Sequence, residues 1–458
     1  MAGLAVERNE ADGPFSTVCL DVMRRVAVTG LGVVSPIGIG AESYWAALVS
    51  GRSAIARSQR LTAQGFPVDV VAEIPEALLR GQLYRLPRKQ LKLFSRVMLF
   101  GMIASSLAVE DGGLRDGSSD PTRCGVFLGT FFTTLDFSTV LHWMVEAESN
   151  APSKELDLGK ANGYCMTSIN PVDYSLKTMP NLAAGHIAIG HNARGFCRVI
   201  ADGCTGGLQA IGQAFLAIKE NQLDVALCGG AEAPLEEFVF VNLCTLDFLA
   251  RGATDPSRLC SPFDGSRSGA VLGEGAGMLL LEEHEHARSR GAQIYGEIIG
   301  YGSAAGDATI ALKAERVEVV SERLGLAMKS ALQESQEERV DLIVANGDST
   351  KANDLAETCA IKALFGPTAV SIPVSASKAT HGHLISGSGA LELISGLLAL
   401  NRRVIPPTLN LRSPDPKCDL DYVPNEARKN EGMRVALVNS IGLFGESASI
   451  VIRRVGEA

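Results

Sequence analysis

The chain has 458 residues, 46% hydrophobic and 20% charged, with 48 Gly and 19 Pro. That is globular composition, neither disordered nor collagen-like, and it allows about three ordinary domains or two large ones. With 42 Lys and Arg against 51 Asp and Glu, the net charge of −9 argues against a protein that wraps nucleic acid, although a local basic patch remains open. Ten Cys without a C-x-x-C pair argue against a zinc ribbon or a thioredoxin-type motif. Residues 1–22 carry Glu7, Glu10, Asp12 and Asp21 and no long apolar run, so they do not read as a signal peptide. The longest apolar stretches, Val97–Val109 and Leu384–Leu400, fall short of the roughly 20 clean residues of a membrane helix. The expectation is a soluble cytoplasmic protein with reduced thiols.

In chain order, RRVAVTGLGVVSPIG predicts a buried strand at Val26–Gly30 and then a Gly-rich turn. Residues 40–50 predict a helix. Residues 85–111 predict a helix with a cationic start, and GVFLGT (125–130) a strand. Residues 145–165 are polar and rich in Gly, Ser and Pro, which predicts an exposed insertion. CRVIADG reads as a strand. It leads through Cys204 into TGGLQAIGQAFLAIKENQ, which has helical spacing at Leu208, Ile211, Phe215 and Ile218. DVALCGGAEA is another buried strand. The loop-like stretch 252–269 is taken as the boundary between halves. Beyond it the alternation repeats: VLGEGAGMLLLEE as strand, EVVSERLGLAMKSALQES as helix, VDLIVAN as strand, LAETCAIKALF as helix, IPVSASK as strand, a helix over 384–400, and RVALVNSI and SASIVIRR as strands. Such alternation implies stacked α/β layers around buried sheets.

Cys204, between a strand and a Gly-containing helix start, is the main candidate nucleophile. A thiol there faces a helix dipole and free backbone N–H groups, which favour thiolate and can hold an oxyanion. A buried, inert thiol is the alternative for this residue taken alone. His383, in SASKATHGHLISGSG, stands at a strand–helix junction where an imidazole can donate a hydrogen bond or act as acid or base; a satisfied core His is the other reading. His381 reads as loop. Asn346, in NGDSTKANDLAE, reads by itself as a turn former. His284 and His286 read as solvated. Arg88, Lys89, Lys92 and Arg96 form the cationic helix start, either a solvated face or a dock for an acidic partner.

Together these runs resemble the β-ketoacyl synthase family, the condensing enzymes of fatty acid and polyketide synthesis. The most specific are PFDGSRSGAVLGEGAGMLLLEE, DVALCGGAEA, GCTGGLQAIG and KATHGHLISGSGALE, and the nucleophile loop is most similar to the type II polyketide branch. The resemblance implies a thiolase-like α/β fold of two related halves in α-β-α-β-α layers. These comprise an extension at 1–22, a first half at 23–259 with the nucleophile, and a second half at 260–458 with Asn346 and His383. It also implies a homodimer or a heterodimer with a related subunit, acyl carrier protein (ACP) as partner, and chemistry without metal or organic cofactor. Residue by residue, Cys204 matches the acyl-accepting nucleophile, His383 the second catalytic His, Lys378 the lysine near it and Glu357 the acidic residue of the site network. Arg88, Lys89 and Lys92 fall near the ACP-docking helix.

The sequence departs from the family in two places. Where the family has N-A-H-G-T-S-T, the chain has VANGDST, so Asn346 stands for the first catalytic His. Where the gate reads N-S-F-G-F-G-G, the chain has NSIGLFGES, so Leu443 and Ile441 replace Phe on either side of Gly442. An Asn keeps an N–H donor but loses the titratable ring. Three functions follow: decarboxylative condensation with malonyl-ACP, acyl transfer without elongation, or a chain-length-factor-like partner subunit. The retained Cys204 weighs against the last.

Overall fold

The computed structural model describes residues 23–456 apart from 116, 133–136, 149–154, 169–170, 247, 253–254 and 307–315; the extension at 1–22 lies outside the described residues. The strands are β1 (Val26–Ser35), β2 (Cys124–Gly129), β3 (Cys197–Ile200), β4 (Val225–Glu232), β5 (Gly275–Glu283), β6 (Gly296–Ala304), β7 (Leu342–Val344), β8 (Val374–Ser375), β9 (Val435–Ile441) and β10 (Ser447–Arg453). Their order across the sheet is β8-β7-β9-β10-β6-β1-β5-β4-β2-β3. The first five strands and the last five thus follow one permutation, and the two sets join through the antiparallel β1–β6 pair. In each set three strands run parallel, β3-β2-β4 and β8-β7-β9. The stretch 252–269 precedes β5, which pairs with β4 and β1, so the strand repeat changes over between Glu283 and Gly296.

The helices that cover these strands and frame the site are α1 (Ala41–Val49), α2 (Arg96–Asp111), α3 (Phe137–Glu146), α4 (Leu158–Ser168), α5 (Pro180–Gly190), α6 (Gly206–Lys219), α7 (Glu237–Thr245), α8 (Arg316–Ser335), α9 (Lys351–Phe365), α10 (Lys378–His381) and α11 (Ser388–Arg402). Helices α6 and α11 touch strands of both sets and each other, forming a central layer. Helices α2 and α5 cover the outer face of the first set, and α8 and α9 that of the second. Three apolar clusters fill these spaces: one under each outer helix layer, and a central one on both sides of the middle layer, built around Leu208, Ile211, Leu391, Ile394 and Leu398. This gives five layers, α-β-α-β-α, as the resemblance implied. Helix α11 is buried on every side from Ser388 to Leu400, which explains why its sequence is apolar rather than amphipathic.

Four expectations change. The glycines of GLGVVS do not make a turn; β1 continues to Ser35. A Cβ at Gly30 or Gly32 would strike the carbonyls of Ala108 and Ala104, so these glycines let α2 lie against the strand. The cationic segment does not start a helix. Pro87 follows an extended Leu86, Leu83–Arg85 and Leu91–Leu93 are single 3₁₀ turns, and α2 begins at Arg96. The segment 145–165 is flanked and partly formed by α3 and α4; its exposure holds, with Val145, Leu156 and Leu158 facing outward, but not its loop character. His284 and His286 are not free in solvent: they face Glu297 and Glu282 at 3.1 and 2.8 Å.

Candidate active site

In both sets the parallel strands end on the same side, and their carboxyl ends carry the candidate residues. This is where open α/β sheets bind ligands. Cys204 follows β3, Glu232 closes β4, Asn346 follows β7, Lys378 and His383 follow β8, and residues 442–446 follow β9.

The turn before Cys204 is made by Gly203 in the left-handed region, φ 51°. A Cβ there would lie 2.5 Å from Glu446 Oε1 and displace that side chain, and the backbone conformation itself favours glycine. The turn is pinned by two hydroxyls: Ser386 Oγ donates to Gly203 O at 2.7 Å and Ser440 Oγ to Cys204 O at 3.1 Å. Cys204 is buried, ahead of α6, in an apolar cluster with Leu443, Ile385, Phe248 and Leu272. The expected thiolate is not the resting form. Burial pushes the thiol well up, Glu446 and Asp348 push it further, and the opposing pull of Lys378 does not prevail.

His383 is equally buried and stacks edge-on against Phe248, ring centres 5.5 Å apart. Its Nδ1 accepts the Ile385 N–H at 2.9 Å, so the neutral ring carries its proton on Nε2. Burial, aided by Lys378, lowers the ring to about 3 and keeps it neutral. Among the described residues the buried Nε2 has no partner, which leaves a donor held ready for an acceptor. His381, expected in a loop, is a core residue closing α10; Nδ1 meets Gly382 O at 2.8 Å and Nε2 meets Ser377 Oγ at 3.1 Å.

Asn346 sits between opposed partners that fix its amide. Its Oδ1 accepts from Ile441 N at 3.1 Å and Lys378 Nζ at 3.3 Å, and its Nδ2 donates to Asp348 Oδ2 at 3.1 Å. One N–H of the amide is therefore committed to Asp348 instead of facing a substrate. Lys378 Nζ also donates to Asn346 O and to Glu392 Oε1, both at 2.5 Å. Glu357 accepts from Asn346 N at 2.9 Å, Gly347 N at 3.0 Å and Asn439 Nδ2 at 3.1 Å, locking the loop after β7. Glu357 thus shapes the site without facing the reacting atoms.

Two acids were missed in the sequence. Asp348 takes the place of the first Thr in the family run N-A-H-G-T-S-T. It accepts from Asn346 Nδ2, from Asn353 Nδ2 at 2.6 Å and from Thr350 N at 2.9 Å. Burial works against its charge, but His383 and the groups of Asn353 and Thr350 hold the carboxyl below the usual range. Glu446 lies in the gate segment against Gly203 and Gly442, with Oε2 accepting from Phe444 N at 3.0 Å; burial pushes it up to about 7. The signal for both was a lone carboxylate inside a motif otherwise free of charge. Leu443 packs in the Cys204 cluster, while Ile441, the last residue of β9, belongs to the core shared with α9. Arg316 ties the segment after β9 to α9 by donating to Leu443 O at 3.0 Å and to Asn353 Oδ1 at 3.1 Å.

Arg88, Lys89 and Lys92 lie on an exposed turn away from this centre, and among the described residues none has an ion-pair partner; Arg96 instead pairs with Glu274 at 2.5 Å. Among the described residues no group of three or more His, Cys, Asp or Glu is arranged to hold a metal ion, and no helix is long and apolar enough to cross a membrane.

Residues 23–287 match the β-ketoacyl synthase N-terminal domain, and residues 295–412 its C-terminal domain. The chain belongs to the β-ketoacyl synthase family. It is 33% identical to a granaticin polyketide putative β-ketoacyl synthase 1 of Streptomyces violaceoruber, covering 95% of this chain and 99% of that one. It is 34% identical to a 3-oxoacyl-[acyl-carrier-protein] synthase 2 of Rhizobium meliloti, covering 94% and 99%. A β-ketoacyl synthase from Burkholderia phymatum superposes with a TM-score of 0.82 at 30% identity, over 95% of this chain and all of that one. A type II polyketide synthase ketosynthase, solved with its acyl-carrier protein and bound to the hexaketide, superposes with a TM-score of 0.79 at 28% identity, over 94% and 100%. The thiolase-like α/β fold of this chain is thus the fold of its family.

Proposed function

We propose that this ketosynthase is an ACP-dependent acyltransferase that extends an acyl chain by decarboxylative Claisen condensation, in fatty acid or polyketide synthesis. The observation that carries the reading is a buried Cys204 on a pinned glycine turn in the same site as a buried His383 whose Nε2–H has no partner among the described residues. In the first half-reaction the Cys204 sulfur attacks the thioester carbonyl of acyl-ACP. The pantetheine thiol leaves with the proton that the cysteine gives up. In the second, malonyl-ACP loses CO₂, and the electron pair of the broken C–C bond becomes an enolate whose oxygen accepts from His383 Nε2–H. The enolate carbon attacks the acyl carbonyl and expels the Cys204 thiolate, which regains a proton from solvent. Lys378 and Glu357 hold the loops in place. Leu443 gates the acyl site, and Ile441, packed in the core, supports the gate from behind. Arg88, Lys89 and Lys92, exposed and without an ion-pair partner among the described residues, suit the acidic face of a carrier protein. The partner is ACP, and the assembly a homodimer or a heterodimer with a related ketosynthase or chain-length factor. The free cysteines suit a reducing cytoplasm.

A second reading, acyl transfer without elongation, is favoured by the bond from Asn346 to Asp348, which withdraws a donor from the enolate site. Mass spectrometry of the protein incubated with acyl-ACP and with malonyl-ACP separates the readings. Acyl-Cys204 plus CO₂ release supports condensation, and acyl-Cys204 alone supports transfer. Loading that persists at the native rate in Cys204→Ala refutes both.

A further inference from the structure

Asp348 is a buried carboxylate, 1% exposed, in the loop after β7, bonded to the side chain of Asn346. Three N–H groups donate to it: Thr350 N to Oδ1, and the side-chain amides of Asn346 and Asn353 to Oδ2. A carboxylate that only accepts is ionised. Among the described residues no Lys or Arg pairs with it. Lys378 pairs with Glu392, and Arg316 reaches only the far oxygen of Asn353. The charge is therefore solvated by amide dipoles alone and remains a net −1 inside the site. It acts on its neighbours: Asp348 works against the burial that keeps the His383 ring neutral, and it is one of the acids that disfavour a thiolate at Cys204. The unpartnered His383 Nε2–H marks where the extender oxygen gathers negative charge.

We propose that Asp348 is a specificity-determining residue that sets this site against anionic groups, penalising the malonyl carboxylate and the enolate at His383 relative to an uncharged acyl thioester. The inference rests on the ketosynthase reading above. A fixed charge within about 4–6 Å of an ionising group shifts it by 1–3 units, a tenfold to thousandfold effect. The attack of Cys204 on a neutral thioester places its negative charge at a different carbonyl, so the two half-reactions do not share the penalty equally. Asp348 thereby sets how readily malonyl-ACP decarboxylates for a given rate of acyl loading.

The test compares the wild type with Asp348→Asn and Asp348→Ser, reading CO₂ release from malonyl-ACP and acyl-Cys204 formation from acyl-ACP on the same samples. The ratio of decarboxylation to loading rises at least tenfold in both variants; an unchanged or lower ratio overturns the proposal. A second measurement does not depend on the variants folding. On the wild type, a non-hydrolysable malonyl-pantetheine analogue inhibits loading at least tenfold less well than its carboxamide counterpart. Equal inhibition, or stronger inhibition by the carboxylate, overturns the proposal. If wild-type Cys204 takes no acyl group from ACP, it is the ketosynthase reading that fails, whatever the two analogues do.

Discussion

Restoring the missing imidazole is the most informative perturbation. Asn346→His places a ring where Oδ1 now accepts the Ile441 N–H at 3.1 Å and Nδ2 donates to Asp348 at 3.1 Å. The new ring N–H finds Asp348 in the position of the present donor and is captured by it. The Ile441 N–H loses its acceptor, at a cost of about 1–3 kcal/mol in stability. A free oxyanion donor contributes about 2.7–4 kcal/mol to the transition state, or ~10²–10³ in rate. A captured one contributes little, so the single substitution raises malonyl-ACP decarboxylation by less than about tenfold. In an Asp348→Thr background the ring is released. Adding Asn346→His there gains about 10²–10³ over Asp348→Thr alone. The two gains thus differ by at least about tenfold, a coupling of roughly 1.4 kcal/mol or more in a double-mutant cycle. The assay is CO₂ release at saturating malonyl-ACP. If Asn346→His in the wild-type background gives the full hundredfold gain, Asp348 does not hold the amide and the reasoning fails.

Glu446 gives a pH signature. Its carboxyl, pushed up by burial to about 7, binds a proton that the unfolded chain has released, so its penalty is absent below about 4.5 and complete above about 7. Stability therefore falls as pH rises through that window, by up to ~3 kcal/mol from this group. Glu446→Gln makes the fall in Tm between pH 5 and 7.5 shallower, and an unchanged slope refutes the assignment. Glu392→Gln leaves the Lys378 ammonium buried without its 2.5 Å partner and lowers stability in urea by about 3–5 kcal/mol at pH 8; a loss below about 1 kcal/mol shows that the pair is not what holds Lys378. Charge reversal at Arg88, Lys89 and Lys92 raises KM for acyl-ACP at least tenfold more than KM for acyl-pantetheine, and weakens the salt dependence of loading. Equal changes for both substrates place the docking surface elsewhere.

The apolar, β-branched runs made nearly every strand of the sheet readable, because a strand covered on both faces must be apolar throughout. Cys204, Lys378 and His383 were readable from their motifs, and the structure gathers them at the strand ends. What failed depends on partners distant in the chain. Gly30 and Gly32 look like a turn until α2, some seventy residues on, is laid across them. The cationic run looks like a helix start until Pro87 is weighed. The thiolate expected from the helix start ignored three carboxyls that only the fold brings to Cys204: Glu446, Asp348 and Glu232. Asn346 was seen as a substitution, but the direction of its amide follows from Ile441, Lys378 and Asp348, which no local pattern reveals.

The repeated strand order has a mechanical corollary. Because α6 and α11 lie face to face between the two sheets, each half supplies the wall against which the other buries its central helix. Severing the chain between Glu283 and Gly296 would strand Leu391, Ile394 and Leu398 in water, so the outcome is two sticky fragments, not two autonomous modules. Nucleophile and imidazole come from opposite sides of that seam, and the distance between them is set by the packing of α6 against α11. Adaptation to a new substrate is therefore left to the segments beyond the strand tips, which can change without disturbing it.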